Sequence, residues 1–116
     1  MRALLVLVLL GLGGQMAAAE DCSNLQTQTD MTICAVGEYN KADAELNASY
    51  KQIMTRLKDD PETAKLLVAA EKAWMAFRDA ECTFANAGTD GGSIHPMLVA
   101  ECREAITRKI VSREVV

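Results

Sequence analysis

The sequence lacks any long alternation of apolar and polar residues, any C-x-x-C pair, and any excess of basic residues, and it contains one histidine. Each absence excludes something. Without period-two alternation there is no signal for a β-sheet. Four cysteines with no close pair, and His95 alone, make no zinc or haem-attachment motif, so no metal and no cofactor is expected. Twelve Lys and Arg against sixteen Asp and Glu, a net charge of −4, disfavour nucleic acid or an anionic membrane as partner. A chain of 116 residues holds one small domain, which rules out a large multidomain enzyme.

What is present begins with an apolar excess at the front. Met1-Arg2 is followed by the unbroken run Ala3 to Leu10, then Leu12, the breakers Gly13-Gly14-Gln15, and Ala17-Ala18-Ala19. A basic start, a short apolar stretch and small residues at the end read as a secretory signal peptide over residues 1–19, with the mature domain at 20–116. The run is short for a bilayer span. Cys22 follows Glu20-Asp21 rather than small residues, so the lipid-attachment pattern is missing. The expectation is a periplasmic or secreted protein with no stable membrane anchor after cleavage. Loss of Arg2 with the leader makes the net charge −5 instead of −4.

Export places Cys22, Cys34, Cys82 and Cys102 in an oxidising compartment, where disulfides persist. Four cysteines allow three connectivities. Cys22–Cys34 and Cys82–Cys102 are favoured because each joins neighbours across one short connection. A mature domain this small, rich in alanine, benefits from such bridges.

Apolar residues recur at helical spacing from Met31 through Ala35, Tyr39, Ala42, Leu46, Tyr50, Ile53 and Leu57, with Thr29 or Asp30 available as N-cap. Asp60-Pro61-Glu62 is a stop and restart. A second helix runs from Pro61 to about Ala85, with a stripe of Leu67, Ala70, Trp74 and Phe77, flanked by Leu66 and Ala73, expected to be buried. Gly88, Gly91 and Gly92 mark a turn. Ser93 is the expected cap of a third helix that carries Leu98, Cys102, Ile106 and Ile110. The fold expected is all-α: a long antiparallel helical hairpin plus a third C-terminal helix, stapled by disulfides.

The hairpin fixes heights. Asp43 precedes Asp60 by as many residues as Arg78 follows Pro61, so the two stand level. Asp43 also lies on the inward stripe. An inter-helix ion pair Asp43–Arg78 follows, with Asn47 as a hydrogen-bonding neighbour and Trp74 stacked on the guanidinium.

Those residues also carry a resemblance. Cys34, Tyr39-x-x-Ala42-Asp43-x-Glu45-Leu46-Asn47-x-x-Tyr50, Trp74-x-x-Phe77-Arg78-Asp79-Ala80-Glu81-Cys82, and Gly91-Gly92-Ser93 with Cys102 and Thr107 together resemble the lysozyme-inhibitor LprI N-terminal domain family of small exported bacterial proteins. Ile110 stands where that pattern often has an arginine. The resemblance covers roughly Cys22 to Val111. It implies an all-helical, disulfide-bonded domain and, for the family's namesake, inhibition of lysozyme.

A basic lysozyme would attract an acidic partner. Its cleft, however, holds two carboxylates, so an inserting element has to bring donors or cations. The turn with Asp90, Gly91, Gly92, Ser93 and His95 is the candidate partner-binding loop, and an ordinary interhelical turn is the plainer reading of the same residues. His95 has no evident nucleophile beside it, and Asp43/Glu45 and Asp79/Glu81 point to different helix faces at i,i+2. The functional expectation is a non-enzymatic exported binding protein that inhibits lysozyme. The alternative is a periplasmic structural or envelope-stress accessory protein with another partner.

Overall fold

The computed structural model describes residues 22–114, so the expected leader lies outside the described residues. Three long helices, α1 (Gln28–Arg56), α2 (Pro61–Ala85) and α3 (His95–Glu114), follow a short 3-10 turn at Cys22–Asn24. Among the described residues there is no strand.

The helix boundaries follow from capping chemistry. The Thr27 side chain accepts from the Asp30 amide at 3.1 Å and starts α1 two to three residues earlier than Thr29 or Asp30 would. The gain comes from the Cys22–Cys34 bridge, which folds the preceding segment against the first turns. Asp60 caps α2 by accepting from the Thr63 amide at 3.2 Å, and Pro61 sits where its missing N–H costs nothing. At the far end the Asn86 side chain donates to the Cys82 carbonyl at 2.9 Å. Ser93 does not cap α3: the helix begins at His95, and its first turn is closed by the Leu98 amide donating to the Ile94 carbonyl at 3.2 Å. The Gly92 and His95 amides donate to the Thr89 and Gly92 carbonyls, and Pro96 has no N–H to cap.

Contacts give the helix directions. Gln28 meets Met97, and Glu38 meets Arg108. Residue numbers rise together, so α1 and α3 are parallel. Cys82–Cys102, Asp79–Arg103 and Arg78–Thr107 run oppositely, so α2 is antiparallel to α3. The turn at Lys58–Asp60 reverses the chain between α1 and α2, but the closest packing is between α1 and α3. Small buried residues explain the preference: Ala35 and Ala42 on α1 and Ala100 on α3 allow close approach, whereas Arg78 and two aromatic rings occupy the space between α1 and α2.

The buried set is small and partly polar. Ala35, Ala42, Leu46, Cys82 and Ala100 are accompanied by Glu38, Arg78 and Thr107. The stripe expected to be buried on α2 is corrected here. Leu66 is 71% exposed and Phe77 59%, and Ala70 and Ala73 are exposed as well. The inward face of α2 is instead set by Trp74, Arg78 and Cys82, rotated away from the aliphatic stripe. The disulfide and the arginine dictate this rotation, because both need partners on the neighbouring helices.

With so little apolar core, cross-links matter. The two bridges have Cα–Cα separations of 5.7 and 5.6 Å, within the ordinary range. Replacing Cys82 and Cys102 together by alanine is expected to lower the unfolding free energy by about 3 kcal/mol, read by urea titration. A second expectation concerns pH. The hydrogen bonds from Thr63 hold the Asp60 carboxyl below its ordinary value of 3.8. Its contribution is therefore fully present above that value and lost as pH falls through the lower, folded one. The melting-temperature advantage of the wild type over Asp60→Ser, which caps without titrating, should shrink between pH 6 and pH 2.5.

Candidate functional site

Two polar constructions stand out, one inside the bundle and one at its end. The inner one is built on Arg78, which is 5% exposed. Its guanidinium lies between two rings, 5.3 Å from the centroid of Tyr39 on α1 and 5.2 Å from that of Trp74 on α2. Nε donates to Asp79 Oδ1 at 3.0 Å. Nη1 donates to Thr107 Oγ1 at 3.4 Å and to Asp43 Oδ1 at 3.5 Å. One side chain thus touches all three helices. Asp79 in turn faces Arg103, whose Nε is 3.3 Å from Oδ1 without hydrogen-bond geometry.

A second ionic group lies beside it. Glu38, 3% exposed, pairs with Lys41 at 2.8 Å and with Arg108 at 3.4 Å. Arg108 also reaches Glu104 at 3.0 Å and Glu45 at 3.8 Å. These ions are partnered and hydrogen-bonded, as buried charges must be.

The structure brings Asp43 and Arg78 together, but Asn47 stays exposed and takes no part; Thr107 fills that place from α3. Tyr39, Thr107, Glu38 and Arg108 are the partners that sequence reasoning missed. Tyr39 had a signal, because it stands four residues before Asp43 and so on the same face. Thr107 was marked only by its place in the family pattern, and Arg108 had no such mark; the partners of both depend on the parallel register of α3 against α1.

The outer construction is the glycine turn. A 3-10 turn at Ala87–Thr89 leads to Gly91, whose φ of 80° is in the left-handed region where a side chain would be strained. Amides of Thr89, Asp90, Gly92 and His95 donate to the carbonyls of Asn86, Ala87, Thr89 and Gly92 in succession. The Thr89 hydroxyl donates to the Asn86 carbonyl at 3.0 Å, and its oxygen is 2.9 Å from His95 Nδ1. His95 Nε2 lies 3.9 Å from Asp90 Oδ1. The Cys82–Cys102 bridge closes the base of this turn.

Asp90, Gly91, Gly92 and Ser93 are all exposed, and His95 is partly buried. Two shallow grooves flank the end of the turn. One, of about 370 Å³, lies between α1 and α3 and is bordered by Val36, Tyr39, Asn40, His95, Val99 and Arg103. The other, of about 290 Å³, is bordered by Thr29, Ile33, Ser93 and Pro96. Ile33, Val36 and Ile94 add exposed apolar surface. Apolar grooves with a few convergent donors suit protein recognition. Among the described residues no group of three or more His, Cys, Asp or Glu could hold a metal ion.

Arg78→Ala should destabilise the fold by about 2–4 kcal/mol, because it removes hydrogen bonds to Asp43, Asp79 and Thr107 and empties the space beside two rings. Asp43→Ala should cost about 1 kcal/mol, since its side chain is 36% exposed and Asp79 remains bound. Arg78→Lys should behave closer to Arg78→Ala, because an ammonium cannot fill the planar slot. Thermal melts of the three variants check this ordering.

Comparison with known proteins agrees with the geometry. A family model described as Lysozyme inhibitor LprI matches residues 18–112. An uncharacterized protein of Rhizobium meliloti is 36% identical over 100 residues, covering 77% of this chain and 72% of that protein. The uncharacterized protein YecT of Escherichia coli is 34% identical over 80 residues, covering 57% of this chain and 49% of its own length. No solved structure matches. The match takes in all four cysteines, Arg78 with its two rings, and the glycine turn, and the chain belongs to the LprI lysozyme-inhibitor family.

Proposed function

We propose that the protein is exported and inhibits a lysozyme by non-covalent association, using the end of the bundle where the glycine turn meets the α1–α3 grooves. Family membership carries this reading. Three features support it. Two disulfides suit an oxidising compartment. No helix among the described residues is long and apolar enough to cross a membrane. The turn is held by its own hydrogen bonds, so little ordering is needed on binding.

The chemistry at that end answers the problem posed by a carboxylate-lined cleft. His95 Nε2, Ser93 and the Asn40 amide are small polar groups near the grooves, and Arg103 supplies a cation at the groove wall. The acidic remainder of the molecule steers it toward a basic enzyme without entering the cleft. No residue of this arrangement is asked to make or break a bond.

The test is a turbidity assay with purified lysozyme and cell-wall substrate. Inhibition is expected, weakening as salt rises because the steering is electrostatic. Ser93→Ala combined with His95→Ala should reduce inhibition at least tenfold while leaving the melting temperature near that of the wild type. Full inhibition by this folded variant would remove the turn from the contact surface. A lack of inhibition of every lysozyme class at micromolar excess would favour the envelope accessory reading instead.

A further inference from the structure

The rotation of α2 leaves one face without a partner. Leu66, Ala70, Ala73, Phe77, Ala80 and Phe84 are all exposed, with Phe84 at 78%. Their spacing is four, three, four, three, four, which is the seam spacing of a coiled coil. Ala69, Ala76 and Thr83, also exposed, widen the face on one side. No charged residue interrupts it over five turns of helix. Its three large side chains, Leu66, Phe77 and Phe84, are 71%, 59% and 78% exposed, so the face is a contiguous apolar patch of the kind that marks a protein contact.

We propose that this face joins two copies of the chain in an antiparallel α2–α2 pair about a two-fold axis. The seam matches itself better in that direction. Antiparallel pairing sets Leu66 against Phe84 of the second copy, Ala70 against Ala80, and Ala73 against Phe77, so the central ring meets a methyl group. Parallel pairing would stack Phe77 on Phe77 and Phe84 on Phe84 and set three alanine layers against themselves, where the antiparallel pair has two. Charge agrees. Lys72 of one copy falls level with Asp79 of the other on the same edge. Along the other edge Glu81 faces Leu67 of the second copy rather than a like charge. Ala69 and Ala76 let the two backbones approach closely. A two-fold contact of one patch with itself closes the assembly at a dimer.

The pair leaves the two grooves free, since no α2 residue borders either of them. Each dimer therefore presents two copies of the surface assigned above. The dimer does not depend on the lysozyme reading and can be tested separately from it.

Sedimentation equilibrium of the purified protein should show twice the monomer mass at tens of micromolar. Phe77→Glu with Phe84→Glu should return it to the monomer mass with its helical circular-dichroism spectrum unchanged, because both rings are exposed in the single chain. Direction is read by cross-linking: Ala76→Cys, next to the two-fold axis, should form an intermolecular disulfide, and Ala70→Cys should not. A monomer at several hundred micromolar overturns the proposal. So does a dimer that survives the two glutamates, or a monomer whose lysozyme inhibition the glutamates abolish, which would give the face to a different protein. Equal cross-linking by Ala70→Cys overturns the antiparallel arrangement.

Discussion

Arg78 is the residue on which the three helices agree. A guanidinium taken out of water has to find carboxylates and flat surfaces, and here it finds Asp79 on its own helix, Asp43 and Tyr39 on α1, and Thr107 on α3. Those demands set the rotation of α2 about its axis. Once Arg78 and Cys82 face inward, Leu66, Phe77 and Phe84 have to face outward, because they lie on the opposite side of the same helix. The polar centre and the apolar surface are thus two consequences of one orientation. A domain with so few large apolar residues gains specificity of packing from such a network more readily than from bulk burial.

The division of labour among the helices follows from side-chain size. Alanines at the α1–α3 contact allow a close parallel pair, and that pair creates the grooves at the end where the glycine turn sits. α2 stands further from α1, spaced by the arginine and its rings, and is tied to α3 by a disulfide. Membership of the LprI lysozyme-inhibitor family gives this architecture a functional frame. Recognition at one end and self-association along α2 would use separate surfaces, so neither has to compromise the other.

Much of the fold was legible in the residues. Helical periodicity, the Asp60-Pro61 restart and the glycine cluster marked the elements, and the level argument paired Asp43 with Arg78. Short connections also favoured the two disulfides that the structure contains. The errors share one origin. Placing Leu66, Ala70, Ala73 and Phe77 inside assumed that the most apolar face of a helix is its buried face, and a buried arginine with a disulfide outweighed it. Ser93 looked like a cap because serine often is one, but backbone hydrogen bonds had already closed that turn.

The sequence by itself determined local matters: where helices start and stop, which cysteines are near enough to join, and which acid stands level with which base. These depend on neighbours along the chain and on one short turn, so periodicity and capping chemistry suffice. Only the tertiary structure decided that α3 runs parallel to α1, that Thr107 and Glu38 are buried, and that α2 turns its aliphatic seam to solvent. Those outcomes depend on how three helices share one arginine and two bridges, a balance of burial, charge and side-chain volume that no single helix contains.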